Sequence, residues 1–188
     1  FTQNGTFNHN SRLVTLSGSS DQAISTTGSS VGFGFLTINN ASNDIDPADD
    51  ITVANDFTIT AGELDLSTHT ATVTGTTDVN GTLTVSSGTF DANGTFDATG
   101  GNVTFSGAGR LELGGTVTSL GTFTGGGSST VSYNGASTQI IDDFSAKSGP
   151  YDNLDLDGGG QKDLSGNTKV DGVLSWSADC DMTTNGHI

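Results

Sequence analysis

Apolar residues along this chain come as short alternating pairs between polar clusters: Leu36-x-Ile38, Ile51-x-Val53, Phe57-x-Ile59, Leu64-x-Leu66, Leu83-x-Val85, Val103-x-Phe105 and Leu111-x-Leu113. A period of two is the mark of a β-strand with one inward face, and no segment sustains the 3.6-residue period of an amphipathic helix. Asn-Gly at 4–5, 80–81, 93–94, 134–135 and 185–186 supplies residues that tolerate the positive φ of sharp corners. The pattern predicts an all-β chain of many short strands joined by tight turns.

The strands also repeat. G-T-L-T-V-S-S-G-T-F from Gly81 is followed by G-T-F-D-A-T-G-G-N-V from Gly94, and Gly88, Gly101 and Gly114 stand 13 residues apart. A fixed short period means stacked similar units. Thirteen residues is either one small coil or half of a coil of ~26, and periodicity alone does not choose between them. A longer repeat sets G-T-F-N-H-N-S-R-L-V-T-L from Gly5 against G-T-F-T-G-G-G-S-S-T-V-S from Gly121, and its downstream correspondences fall at offsets of 117 to 118. It continues with Gln22 against Gln139, Leu36-x-Ile38 against Leu154-x-Leu156, Val53 against Val170, Phe57-x-Ile59 against Leu174-x-Trp176, and His69 against His187. The chain therefore reads as one elongated domain over 1–188, with a full module at about 5–120 and an incomplete copy at 121–188. Its ends read as a cut through a continuing array or as surfaces completed by another subunit, with Phe1, Phe7, His187 and Ile188 as the assembly positions.

Composition narrows the interior. Thr (30), Gly (28) and Ser (22) dominate, and Val, Ile, Leu and Phe number only 42 of 188 residues. That supply suits a thin structure with two or three inward residues per strand rather than a thick globular core. The predicted continuous stack includes Phe57, Ile59, Leu83, Val85, Phe96, Val103, Phe105, Leu111, Leu113 and Val117.

A net charge of −16, from 21 acids against 5 Lys and Arg, excludes the basic footprint of a nucleic-acid or anionic-membrane binder. No stretch approaches the ~18 apolar residues of a membrane span. The single cysteine, Cys180, has no internal disulfide partner.

Y-D-N-L-D-L at 151–156, K-D-L-S-G-N-T-K-V-D-G-V-L-S at 162–175, F-L-T-I-N-N at 35–40 and D-D-I-T-V-A-N-D-F-T-I-T-A-G-E-L-D-L at 49–66 follow one consensus. It resembles the long Gly/Thr/Asn-rich β-strand-repeat proteins secreted by Bacteroidetes and related bacteria, over nearly the whole chain. The resemblance implies a right-handed parallel β-solenoid on large extracellular adhesins or surface fibres, with no shared catalytic residues. Tandem immunoglobulin-like β-sandwiches are the competing architecture, because they too give short strands.

Candidate chemistry is sparse. Asp44, Asp46, Asp49 and Asp50 crowd around Pro47 and offer oxygen ligands for Ca²⁺, the only cofactor the sequence suggests. Asp152, Asp155 and Asp157 near Lys162 form the one acid group reminiscent of solenoid enzymes that cleave polysaccharides, with Tyr133, Tyr151 and Trp176 as candidate sugar platforms. Trp176 aligns with Ile59, which favours a core position for it instead. Thr-x-Thr pairs at Thr58/Thr60, Thr68/Thr70/Thr72/Thr74, Thr82/Thr84, Thr116/Thr118 and Thr122/Thr124 raise an ice-binding face, although their spacing gives no constant coil length. His9, His69 and His187 lack the signature of a catalytic triad. The expectation is a non-enzymatic, extracellular structural module whose partner is itself, stacked head to tail, with surface glycans as a further partner and carbohydrate or ice binding as the alternatives.

Overall fold

A computed structural model describes residues 1–28, 30–143 and 149–186. The described residues contain no helix, and the strands stack into a β-solenoid of about 9 turns. Every strand pairing among them is parallel. This rules out the immunoglobulin-like alternative, whose sandwich sheets are antiparallel.

Each turn visits three faces. Face 1 stacks Gln22–Thr26, Thr82–Thr84, Asn102–Thr104 and Thr122–Thr124, while face 2 stacks Leu13–Leu16, Thr77–Val79, Phe96–Asp97 and Val117–Ser119. The long strands Phe35–Pro47 and Phe57–Asp65 bend from face 2 into face 1 and join them into one 11-stranded sheet. Face 3 is an 8-stranded sheet running from Ser30–Phe33 to Leu174–Trp176. Toward the C-terminal end, Gln139–Ile141, Gly160–Leu164 and Cys180–Thr183 continue face 2 as a separate 3-stranded sheet.

The register along face 3 fixes the coil. Val31 pairs with Ile51, Ile51 with Ala71, Ala71 with Phe90, Phe90 with Leu111, Leu111 with Val131, Val131 with Leu154 and Leu154 with Leu174. A turn is therefore about 20 residues, and neither 13 nor 26. Thirteen residues advances the chain two corners of the three, so Gly88 precedes a face 3 strand, Gly101 precedes a face 1 strand and Gly114 follows a face 3 strand. Residues 117 or 118 apart likewise fall on different faces: Leu36 and Ile38 lie on face 2, Leu154 and Leu156 on face 3.

Alternation decides what fills the interior. Phe57, Ile59, Leu83, Val85, Phe96, Val103, Phe105, Leu111, Leu113 and Val117 are all buried in one continuous cluster that begins at Leu16 and reaches Leu156. Aromatic rings step along it, with Phe57 5.8 Å from Phe90 and Phe105 5.7 Å from Phe123. Because each strand repeats the inward side chain of the strand below, burial grows turn by turn and no single layer is indispensable.

The corners are where the sequence is most constrained. Asn185-Gly186 has the expected positive φ at both residues, but at Asn80-Gly81, Asn93-Gly94 and Asn134-Gly135 neither residue does, so there the turn chemistry expected of them is not what the fold uses. What it uses is the absence of a side chain. A Cβ on Gly94 would run into the backbone carbonyl of Gly75 one turn below, and one on Gly115 into the carbonyl of Gly94. Gly94→Ala is accordingly expected to destabilise the chain by roughly 1–3 kcal/mol through overpacking. Gly5→Ala, where a Cβ meets nothing within 4 Å, is expected to be nearly neutral. Urea melts of the two variants beside the parent test the contrast, and equal midpoints would remove the close-approach explanation.

Candidate functional site

The acids around Pro47 do not form one group. Asp44 and Asp46 project from the outer side of Phe35–Pro47, with Asp44 in register with Glu63. Burial, then the neighbouring Asp44, Asp65 and Asp21, raise the Asp46 carboxyl above its ordinary range. Asp49 and Asp50 sit past the corner. Asp49 accepts the Thr26 amide at 2.8 Å, and Asp50 accepts the Thr70 amide at 2.8 Å with His69 Nδ1 3.8 Å away. Among the described residues, no set of three or more His, Cys, Asp or Glu could hold a metal ion.

Asp49 and Asp50 exemplify a device that reading the sequence missed. Asp56 accepts the Thr76 amide at 2.9 Å, Asp142 the Leu120 amide at 2.7 Å, and Asp152 the Gly127 amide at 2.7 Å. Asp152 also takes the amide and hydroxyl of Ser129. Each aspartate reaches a backbone N–H one turn away, at a corner where the ladder lapses. Charge-assisted bonds of this kind are stronger than neutral ones. The signal that could have revealed them is an Asp at the first position of a strand or just before it, as at Asp50-Ile51 and Asp56-Phe57.

The second acid group is likewise dispersed. Asp155, on the outer side of face 3, bonds Arg110 Nη2 at 2.6 Å across two turns and accepts from Ser175 at 2.9 Å. Burial pushes its carboxyl up, but hydrogen bonds from Arg110 and Ser175 outweigh this and hold it below the usual range. Lys162 is fully buried on face 2 and donates to the carbonyls of Gly135 at 2.6 Å and Gly159 at 2.8 Å. Burial lowers its pKa, and Cys180, Asp157 and Asp179 offset that only in part. Cys180 is buried beside the same Gly159 carbonyl, 3.6 Å away.

Tyr133 and Tyr151 are both completely buried and offer no platform to a sugar. They close a hydrogen-bond circuit. The Asp142 amide donates to Tyr133 Oη at 3.1 Å, the Tyr133 hydroxyl lies 3.1 Å from Tyr151 Oη, and Tyr151 donates to the Asp142 carbonyl at 3.2 Å. Trp176 is 58% exposed, although its register with Leu156 puts it in the inner column. It stands in the last described strand of face 3. Thr82/Thr84 and Thr122/Thr124 stand two turns apart with Asn102/Thr104 between them in register, so the pairs do follow the coil. The rank is not clean, because Thr84 is buried and donates to Glu63.

At the ends, Phe1 and Phe7 are half-buried, their rings 5.5 and 6.1 Å from Phe33. His9 Nδ1 accepts the Ser11 amide at 3.0 Å. His187 and Ile188 lie outside the described residues. No protein-family model matches this chain, and neither a curated protein nor a solved structure matches it.

The tyrosine circuit generates a pH prediction. Burial raises both phenols, Tyr133 and Tyr151, well above the ordinary value of 10.0. The unfolded chain releases these protons near pH 10 and the folded chain does not, so their contribution is complete below about pH 10 and is lost as pH rises beyond it. Chemical-denaturation midpoints should therefore fall above about pH 10, and less steeply in Tyr133→Phe. An unchanged slope in that variant would detach alkaline sensitivity from the circuit.

Proposed function

We propose that this chain is a structural module of an extracellular surface fibre or adhesin, supplying length and a repetitive surface rather than catalysis. The observation that carries the reading is the use to which its chemically capable side chains are put. Asp49, Asp50, Asp56, Asp142 and Asp152 tie one turn to the next, Asp155 is tied to Arg110, and Lys162 fills a corner. Groups committed to holding backbone in place are poor acids, bases or nucleophiles, because catalysis needs them free to meet a substrate. The uninterrupted core from Leu16 to Leu156 is what a spacer needs. At a rise of about 4.8 Å per turn, about 9 turns make a rod of roughly 40 Å.

The secreted surface-repeat proteins that the sequence resembles suggest the location. Antibody labelling of intact producing cells tests it: staining without permeabilisation is expected, and staining only after permeabilisation would overturn the placement. A glycan array run on the purified chain separates a passive module from a carbohydrate-binding one. Saturable binding to one glycan class would favour the latter.

A further inference from the structure

The buried lysine and the cysteine converge on one atom. Lys162 Nζ donates to the Gly159 carbonyl at 2.8 Å, and the Cys180 thiol donates to the same carbonyl at 3.6 Å. Lys162 is fully buried and Cys180 is 9% exposed. They belong to successive turns of face 2, where Gly160 pairs with Cys180 and Lys162 with Met182.

The register explains how they meet. The ladder neighbour of Cys180 is Gly160, which has no side chain to occupy the place beside the thiol. Lys162, two residues further on, folds back toward that corner and reaches the carbonyls of Gly135 and Gly159. Burial there favours the neutral amine over the ammonium. An amine with its lone pair free and a thiol are both oxidisable nucleophiles, and here they share one acceptor across a single turn. The chain has no second cysteine, so the thiol has no partner for an internal disulfide.

We propose that Lys162 and Cys180 form a covalent Nζ–O–Sγ cross-link on oxidation by dioxygen, a modification site that ties two successive turns together. One N–H bond of the neutral amine and the S–H bond break, and an N–O and an O–S bond form. The second oxygen atom leaves as water with the two hydrogens released. Nitrogen and sulfur each give up two electrons, which together reduce dioxygen by four. The product nitrogen, bonded to oxygen, is a much weaker base than an amine and stays neutral. The cross-link thereby removes a buried positive charge that would otherwise have only carbonyl dipoles as direct partners. The inference goes beyond the structural-module reading and does not depend on the surface placement, so either can fail without the other.

Intact-mass spectrometry of the unmodified chain tests it without any substitution. The chain is fully reduced, freed of reductant and held in parallel under oxygen and under argon. The oxygen sample alone is expected to gain one oxygen and lose two hydrogens, to return to the starting mass in dithiothreitol, and to yield on proteolysis a linked pair of peptides containing Lys162 and Cys180. Cys180→Ser and Lys162→Arg should each abolish the product, whereas Lys169→Arg should leave it in place. An unchanged mass under oxygen would overturn the proposal. So would oxygens added at Cys180 with no hydrogen lost, which mark sulfenic, sulfinic or sulfonic acid instead. A disulfide-linked dimer as the oxidised product, or a link from Cys180 to Lys169, would overturn it as well.

Discussion

Parallel backbone ladders fix the distance between successive turns at about 4.8 Å, and every other feature of this molecule has to fit inside that spacing. On the flat faces the requirement is met by repetition, since like side chains stack at that distance without difficulty. At the corners the backbone bends out of the ladder and its carbonyls approach the turn above. A side chain there has no room, which is why Gly75, Gly94 and Gly115 stack on one another. The same spacing explains the preference for Asp over Glu. A carboxylate on one methylene reaches an amide one turn away, as Asp56 does to Thr76, with few rotamers to freeze.

The fold class was legible because period-two alternation is a direct consequence of strand geometry, and the ten residues assigned to the interior from alternation alone all occupy it. Coil length was not legible from the glycines. Three corners per turn make the shortest sequence recurrence two thirds of a turn, so Gly88, Gly101 and Gly114 mark steps around the solenoid instead of along it. Asn-Gly misled in a similar way. That dipeptide usually reports a positive φ, as Asn185-Gly186 does, but at Asn80-Gly81, Asn93-Gly94 and Asn134-Gly135 glycine answers a steric demand from another turn, which no local pattern records. The aspartate staples were hidden for the same reason: their partners lie 20 to 25 residues away, and without the coil length that distance has no meaning.

The C-terminal turns solve the corner problem differently. Between Val131 and Leu154 the coil lengthens, and Gly158, Gly159 and Gly160 all take positive φ. A wider corner leaves carbonyls without ladder partners, and an unpaired buried carbonyl is costly. Gln139 and Lys162 supply the missing donors. Gln139 Nε2 bonds the carbonyl of Gly115 and adds a second donor to that of Leu113, which also accepts the Asn134 amide, at 2.7 Å each, while Lys162 takes those of Gly135 and Gly159. The lysine that suggested a catalytic group in the sequence thus stands where the coil changes size. Lys162 is the more demanding choice, because its charge is buried with carbonyl dipoles as its direct partners.

Stacking identical positions also stacks like charges. Asp44 lies in register with Glu63, and Asp91 with Glu112, whose charge adds to the burial that already raises the Asp91 carboxyl. Arg110 relieves part of this on face 3 by bonding Glu112 at 2.7 Å and Asp155 at 2.6 Å together. Elsewhere the repulsion is spent against water and salt, which an outward-facing strand allows and a globular core would not. In a molecule whose turns touch only their neighbours, each turn must balance its own charges with those directly above and below.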